Sequence, residues 1–174
     1  MDDDRELVAS ARNGSAAALG VLFDRHWDRA WRAAYAVSGQ RELANDAAQD
    51  AFLRAAGALD RFDARRPFAP WLTRIAVNRA IDLVRAQRRH VYDTPEAEPA
   101  SFDAELPDEE LREALGRLSA ERRAVVALHY WLDYTTPEIA ELLDLPLGTV
   151  NSRLARALRD LRLDLEARDV RRAR

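Results

Sequence analysis

Cysteine and lysine are both missing from this 174-residue chain, and glycine is scarce at six residues. Without cysteine there is no disulfide, no thiolate zinc site and no thiol redox switch. The few glycines never gather into a phosphate-cradling loop. His26, His90 and His129 are scattered, and no paired carboxylates accompany a His or Ser. An enzyme is therefore not expected, nor a metal site or cofactor. No apolar run reaches membrane-spanning length, and no basic-then-apolar leader opens the chain, which starts MDDDREL. A cytoplasmic protein with no membrane insertion is expected.

What remains is ample for folding, since 48% of the residues are apolar. The length allows one domain or two small ones. All 27 basic residues are Arg, which GC-rich coding explains without special guanidinium chemistry. The net charge of -3 hides a strong partition along the chain. The stretch RFDARRPFAPWLTRIAVNRAIDLVRAQRR, residues 61–89, sets eight Arg against only Asp63 and Asp82, while residues 93–110 hold eight acids and no Arg. Phe62, Phe68 and Trp71 are interleaved with the arginines. Charge to hold phosphates and flat rings to stack bases are the components of a single-strand nucleic-acid site.

Helical periodicity runs through most of the chain. A short helix over residues 5–11 stops at Asn13-Gly14, with Asp2 to Asp4 as a solvated acidic start. Ser15 caps a long helix to about Val37, and Ser38-Gly39-Gln40 breaks it. Residues 41–59 form a helix rich in Ala and Leu. Its wheel sets Asn45, Asp46, Gln49, Asp50 and Leu53 on one side and Ala44, Ala47, Ala51 and Ala55 on the other. Such an acidic, amide-bearing face is either plain solvated surface or a dock for a basic partner helix.

Pro67 and Pro70 predict a loop over residues 60–70, and helix resumes over 71–89. There the apolar stripe is Leu72, Ala76, Val77, Ala80, Leu83 and Val84. Trp71, Arg74, Ile75, Asn78, Asp82, Arg85 and Arg89 face the other way, with Trp71 partly exposed and able to stack. Pro95, Pro99 and Pro107 with the acids make residues 90–108 a linker. About 17 residues at ~3.3 Å each span at most roughly 55 Å, enough to let two domains reach separate sites.

Beyond it, Leu111, Leu115 and Leu118 fall at helical spacing, and Ser119 caps a helix turning Val125, Leu128 and Leu132 inward. Thr135 with Glu138 matches a capping box, and Thr136-Pro137 matches an N-cap followed by Pro. Either frame starts a helix that ends near Leu143, before Asp144-Leu145-Pro146 turns the chain into another helix at residues 147–149. Ile139, Ala140, Leu143, Leu145, Val150 and Leu154 sit where a helix-turn-helix buries its side chains. The inner stripe continues through Leu158, Leu161 and Leu165. Ser152, Arg156 and Arg159 face away, flanked by Asn151 and Arg153, as a major-groove reader requires.

The segments NDAAQDAFLRA, FAPWLTRIAVNRAIDLVRAQRR and TPEIAELLDLPLGTVNSRLARAL, in that order, resemble bacterial RNA polymerase sigma factors of the extracytoplasmic-function group. The resemblance implies an all-α fold of two small helical domains joined by an acidic, Pro-containing linker, the second domain holding the helix-turn-helix. Residues 1–91 are then a region 2-like domain, 92–109 the linker and 110–174 a region 4-like domain. The implied partners are core RNA polymerase, through its β′ clamp helices and β flap, promoter DNA, and an anti-sigma factor.

The resemblance also assigns positions. Asp46, Gln49, Asp50, Phe52 and Leu53 match the polymerase-docking helix, with Phe52 as packing support. Phe62, Arg65, Arg66, Phe68, Trp71, Asn78, Arg79 and Arg85 match the surface that reads the minus-ten element and holds its strand open. Thr149, Asn151, Ser152, Arg153, Arg156 and Arg159 match the minus-thirty-five reader. Three positions depart from the family's habit: Asn151 replaces a basic residue, Ala56 replaces an aromatic one, and Arg65-Arg66-Pro67 replaces an acidic, glycine-containing loop. From the residues themselves, the rivals are a stand-alone helix-turn-helix regulator and, more weakly, an enzyme.

Overall fold

A computed structural model describes residues 3–93 and 109–172. Every regular element among them is helical: α1 (Asp4–Arg12), α2 (Ala16–Ser38), α3 (Arg41–Ala58), a 3-10 turn (Leu59–Arg61), α4 (Phe68–Asp93), α5 (Glu109–Arg117), α6 (Ala120–Tyr130), α7 (Thr136–Leu143) and α8 (Leu147–Arg172). No helix among them is long and apolar enough to cross a membrane.

Local chemistry sets most boundaries. The Ser15 hydroxyl accepts from the Ala18 amide, and Gly39 ends α2 at φ 70°, in the left-handed region that glycine adopts without strain. Ser119 caps α6 by accepting from the Arg122 amide. Of the two possible starts for α7 the capping box prevails: Thr135 accepts from the Glu138 amide while the Glu138 carboxylate accepts from the Thr135 amide at 2.8 Å. Hydrogen bonds from Thr135 hold the Glu138 carboxyl below the usual range. Asp144 closes α7 at φ 56°.

Several expectations need correcting. Asp4 is no solvated cap: it lies inside α1 and binds Arg25 at 2.7 Å and His26 at 2.8 Å, tying α1 to α2. Helix α4 starts at Phe68 rather than Trp71, because Pro70 falls in the first turn, where its missing N–H costs nothing. The same helix runs on to Asp93, so only residues 94–108 of the expected linker remain, and they lie outside the described residues. On α8, Leu158 is exposed and Ala157 is buried instead. Steps of four drift by about 40° each against a 3.6-residue turn, so the inner stripe returns through Ala157 to Leu161.

Helices α1 to α4 enclose one core in which Leu7, Val8, Leu22, Phe52, Phe62, Phe68 and Leu72 meet. The alanine face of α3 is buried as expected, which lets α2 and α4 approach closely. Helices α5, α6 and α8 close around Leu115, Leu118, Val126 and Ala157. A third cluster joins the two halves: Ala33 and Val37 of α2 and Val77, Ile81 and Val84 of α4 pack with Val125 and Leu128 of α6, Ile139 and Leu142 of α7, and Val150 of α8.

Arg123 sits inside that junction at 2% exposure. Its guanidinium donates to the Val37 carbonyl at 2.5 Å, in the last turn of α2, and to the Leu115 carbonyl at 3.3 Å. Last-turn carbonyls lack intrahelical donors, and a cation there also meets the negative end of the helix dipole. Burial, with Arg88 adding repulsion and Glu121 opposing, pushes this guanidinium down to about 9, so it stays charged at neutral pH.

Candidate nucleic-acid interface

The basic stretch folds into the loop and helix that its residues imply, with its rings differently placed. Phe62 and Phe68 are buried, at 7% and 3% exposure. Phe62 lies 4.5 Å from Trp71 by ring centroid, and Phe68 lies 5.6 Å from it. Arg12 clamps the loop from beneath, donating to the Leu59 carbonyl at 2.9 Å and to the Phe62 carbonyl. Phe62 and Phe68 are thus corrected from stacking rings to the floor of the site. Two apolar rings beside Leu7 and Val8 gain more from the core than from water. Trp71 is half-buried and rests on that floor, the ring of the three best placed to meet a base.

The loop arginines point outward. Arg65 donates from Nε to Asp63 at 2.9 Å, a contact that also holds the Asp63 carboxyl at about 2. Arg66 is exposed beside it. Asn78 is exposed on α4, while Arg79 donates to Asp50 at 2.6 Å and Arg85 pairs with Glu121. The expected site residues Arg79 and Arg85 therefore already hold carboxylates, one on α3 and one across the junction on α6. Glu121 itself lies below the usual carboxylate range, with burial opposed by hydrogen bonds and by Arg85. Arg74 reaches Asp144 at 3.3 Å. The sequence reading missed Glu121 and Asp144, since neither lies near the arginines along the chain.

Helix α3 turns its acidic side to solvent. Asp46 and Gln49 are exposed, Asp50 is half-buried against Arg79, and Leu53 stands out at 72% exposure. Phe52 points inward and packs on Phe23 at 4.6 Å, in a cluster with Trp27. Phe52 thus supports the face without reaching its surface. An exposed Leu beside Gln49 and Asp50, about two turns from Asp46, gives this face an apolar centre with a polar edge.

Across α7 and α8 the helix-turn-helix is as its residues imply. Ile139 and Val150 are fully buried, Leu143 is buried, and Ala140, Leu145 and Leu154 pack partly exposed around them. Asn151, Ser152, Arg156 and Arg159 are exposed on one side of α8. The Ser152 hydroxyl donates to the Thr149 carbonyl at 3.0 Å, which spends its proton on its own helix. Arg153 is half-buried and lines a cavity with Asn78, Arg85 and Glu121. His26 and His129 are packing residues, the latter joined to the Tyr134 carbonyl at 2.9 Å. Among the described residues no group of His, Asp and Glu is arranged to hold a metal.

A family model described as Sigma-70 region 2 matches residues 22–90, and one described as Sigma-70, region 4 matches residues 108–161. The ECF RNA polymerase sigma factor SigL of Mycobacterium tuberculosis is 37% identical over 168 residues, covering 91% of this chain and 95% of the relative. The chain belongs to the ECF sigma factor family. SigW of Bacillus subtilis, another ECF sigma factor, is 28% identical and covers 92% of this chain and 96% of its own. Among solved structures, CnrH in complex with the cytosolic domain of CnrY aligns over 95% of this chain and 99% of its own, at 32% identity and a TM-score of 0.68. Family membership brings sigma factor activity in transcription initiation, and α7 with α8 is the region 4 helix-turn-helix.

Proposed function

We propose that this sigma factor joins core RNA polymerase through the outer face of α3 and reads a promoter at two places. Residues 1–91 form the domain that docks on the β′ clamp helices and holds the minus-ten strand open. Residues 110–174 form the domain that meets the β flap and reads the minus-thirty-five element as duplex through α8. Residues 94–108 link them, with α4 continuing the first domain to Asp93 and α5 opening the second at Glu109. Asp46, Gln49 and Leu53 supply the polymerase dock. Arg65, Arg66, Trp71, Asn78, Arg79 and Arg85 hold the melted strand over the floor of Phe62 and Phe68. Thr149, Asn151, Ser152, Arg153, Arg156 and Arg159 read the major groove and its phosphates.

Energy for melting comes from binding. Unstacking costs a few kcal/mol per base, and aromatic stacking returns about 1 to 3 kcal/mol per base. No bond needs to be made or broken by the chain, so it acts as a binding protein and not an enzyme. Asn151, where the family has a basic residue, exchanges a phosphate contact for amide readout of a base. A cytoplasmic location suits such a protein. CnrH was solved with the cytosolic domain of CnrY, which supports an anti-sigma partner here as well.

The observation that carries this reading is the pair of outward faces on one short chain: Leu53 at 72% exposure beside Gln49 and Asp50, and the exposed polar side of α8 behind a capped, buried α7. The test is transcription from a library of host genomic fragments by purified protein with core polymerase. Promoter-specific transcripts, steeply reduced by salt, are expected. If a known sigma factor yields them and this protein does not, the reading fails. Tight shifting of duplex DNA by the protein alone would favour a stand-alone regulator.

A further inference from the structure

The turn between α1 and α2 has no part in the surfaces described above. Asparagine occurs in the chain at Asn13, Asn45, Asn78 and Asn151. The last three lie inside α3, α4 and α8, where they are followed by Asp46, Arg79 and Ser152. Asn13 alone precedes a glycine, and it stands just past the last residue of α1. Asn13 and Gly14 are both exposed. Beyond the flanking residues, nothing lies within 4 Å of the position that a Gly14 Cβ would take. Gly14 has φ 90°, the left-handed conformation that closes many helices.

We propose that Asn13 is a site of self-modification, in which the Gly14 nitrogen displaces the Asn13 side-chain amide. The attack closes a five-membered ring, and a side chain on the following residue would shield the nitrogen; glycine has none. Once the Gly14 N–H has lost its proton to solvent base, the N–Cγ bond forms, the Cγ–Nδ2 bond breaks, and ammonia leaves with a proton taken from water. Water then opens the cyclic imide. Opening at Cγ leaves aspartate, and opening at the main-chain carbonyl carbon leaves isoaspartate. Either way a neutral amide has become a carboxylate, with no oxidant or reductant consumed.

The turn is held by the Gly14 amide donating to the Ala11 carbonyl at 3.0 Å and the Ser15 amide donating to the Ser10 carbonyl at 3.1 Å. The ring closes when these bonds open, and the end of a short helix near a chain terminus is among the first places to do so. The product matters because of its neighbour. Arg12, in the last turn of α1, donates to the Leu59 and Phe62 carbonyls beneath the loop that carries Arg65 and Arg66. A carboxylate at position 13 sits at the negative end of the α1 dipole, where an anion is disfavoured. It also competes for the Arg12 guanidinium, which binds a carboxylate more strongly than a neutral carbonyl. Conversion of Asn13 thus loosens the loop from below.

The full-length chain is held in mildly alkaline native buffer beside a sample in urea, and both are digested and mapped by mass spectrometry. In native buffer Asn13 should convert about tenfold faster than Asn45, Asn78 or Asn151, since amides inside helices open rarely. Equal conversion at all of them overturns the proposal. So does an Asn13 that stays intact in native buffer, whether or not it converts in urea. Two variants then test the consequence. Asn13→Asp reproduces one product, and Asn13→Gln keeps an amide whose longer side chain must close a six-membered ring, a much slower reaction. Hydrogen exchange at the amides of residues 59–66 should be about threefold faster in Asn13→Asp than in the unaltered chain, and unchanged in Asn13→Gln. No rise in Asn13→Asp, or an equal rise in Asn13→Gln, overturns the competition for Arg12. None of these readouts uses polymerase or DNA, so they stand or fall apart from the function proposed above.

Discussion

On α8, Asn151 and Arg156 stand in solvent, and no ion pair to Arg156 is seen among the described residues. On the loop and α4 the situation is reversed: Arg65 holds Asp63, Arg74 holds Asp144, Arg79 holds Asp50 and Arg85 holds Glu121. Both surfaces are rich in guanidinium, but four arginines of the loop and α4 hold carboxylates, whereas on the α8 surface Arg159 makes only a 3.8 Å contact with Asp160. A duplex needs no more than an exposed helix to be read. On the proposed function, a melted strand would have to replace carboxylates already in place, whereas a duplex on α8 would not. The exchange is close to balanced because exposed ion pairs are worth only about 0 to 1 kcal/mol each.

The contrast yields predictions of graded size. The largest concerns the junction. Arg123→Ala removes a buried donor from two carbonyls and leaves a void, and should lower stability by about 3 kcal/mol in urea unfolding. A loss under about 1 kcal/mol would mean that the two halves barely depend on each other. Next, Leu53→Asp should weaken core polymerase binding by about 2 kcal/mol, read as a shift in assembly midpoint, with the helical content unchanged. Arg156→Ala should cost about 1 to 2 kcal/mol in minus-thirty-five duplex binding while core polymerase binding stays constant. Loss of polymerase binding in that variant would erase the division between the surfaces. Thr135→Ala should cost about 1 kcal/mol by opening the capping box of α7.

The smallest effect is a titration. Asp63 is held at about 2 against an ordinary value of 3.8, chiefly by the Arg65 side chain. A depressed carboxyl contributes stability that is present above its unfolded value and lost as pH falls through its folded one. The Asp63–Arg65 contact should therefore persist from neutral pH to below 3.8 and fade near 2, seen in the NMR shift of the Asp63 carboxyl. A midpoint near 3.8 would mean that the loop arginine is as free as Arg156.

Much of this was legible in the residues. Ser15, Ser119 and the Thr135–Glu138 box mark helix starts because a cap is a local bargain between a side chain and amides within one turn. The alanine side of α3 and the outward set of α8 follow from periodicity alone. Phe62 and Phe68 did not, because a ring next to arginines gains equally from a base or from a core, and only the neighbouring Leu7 and Val8 decide. Leu158 and Ala157 exchanged places because a stripe counted in fours drifts off its face. Glu121, Asp144 and Arg123 escaped because their partners lie far along the chain. An arginine directly before the apolar run from Ala124 to Leu128 was the one faint sign of a buried cation.

Arg123 grips the main-chain carbonyls of Val37 and Leu115. Any residue at position 37 or 115 offers the same oxygen, so this contact leaves no trace of paired substitution for a comparison of relatives to detect. It also makes the contact portable: a hybrid with α1 to α4 from one relative and α5 to α8 from this chain would inherit it intact, whatever side chain the donor carries at the end of α2.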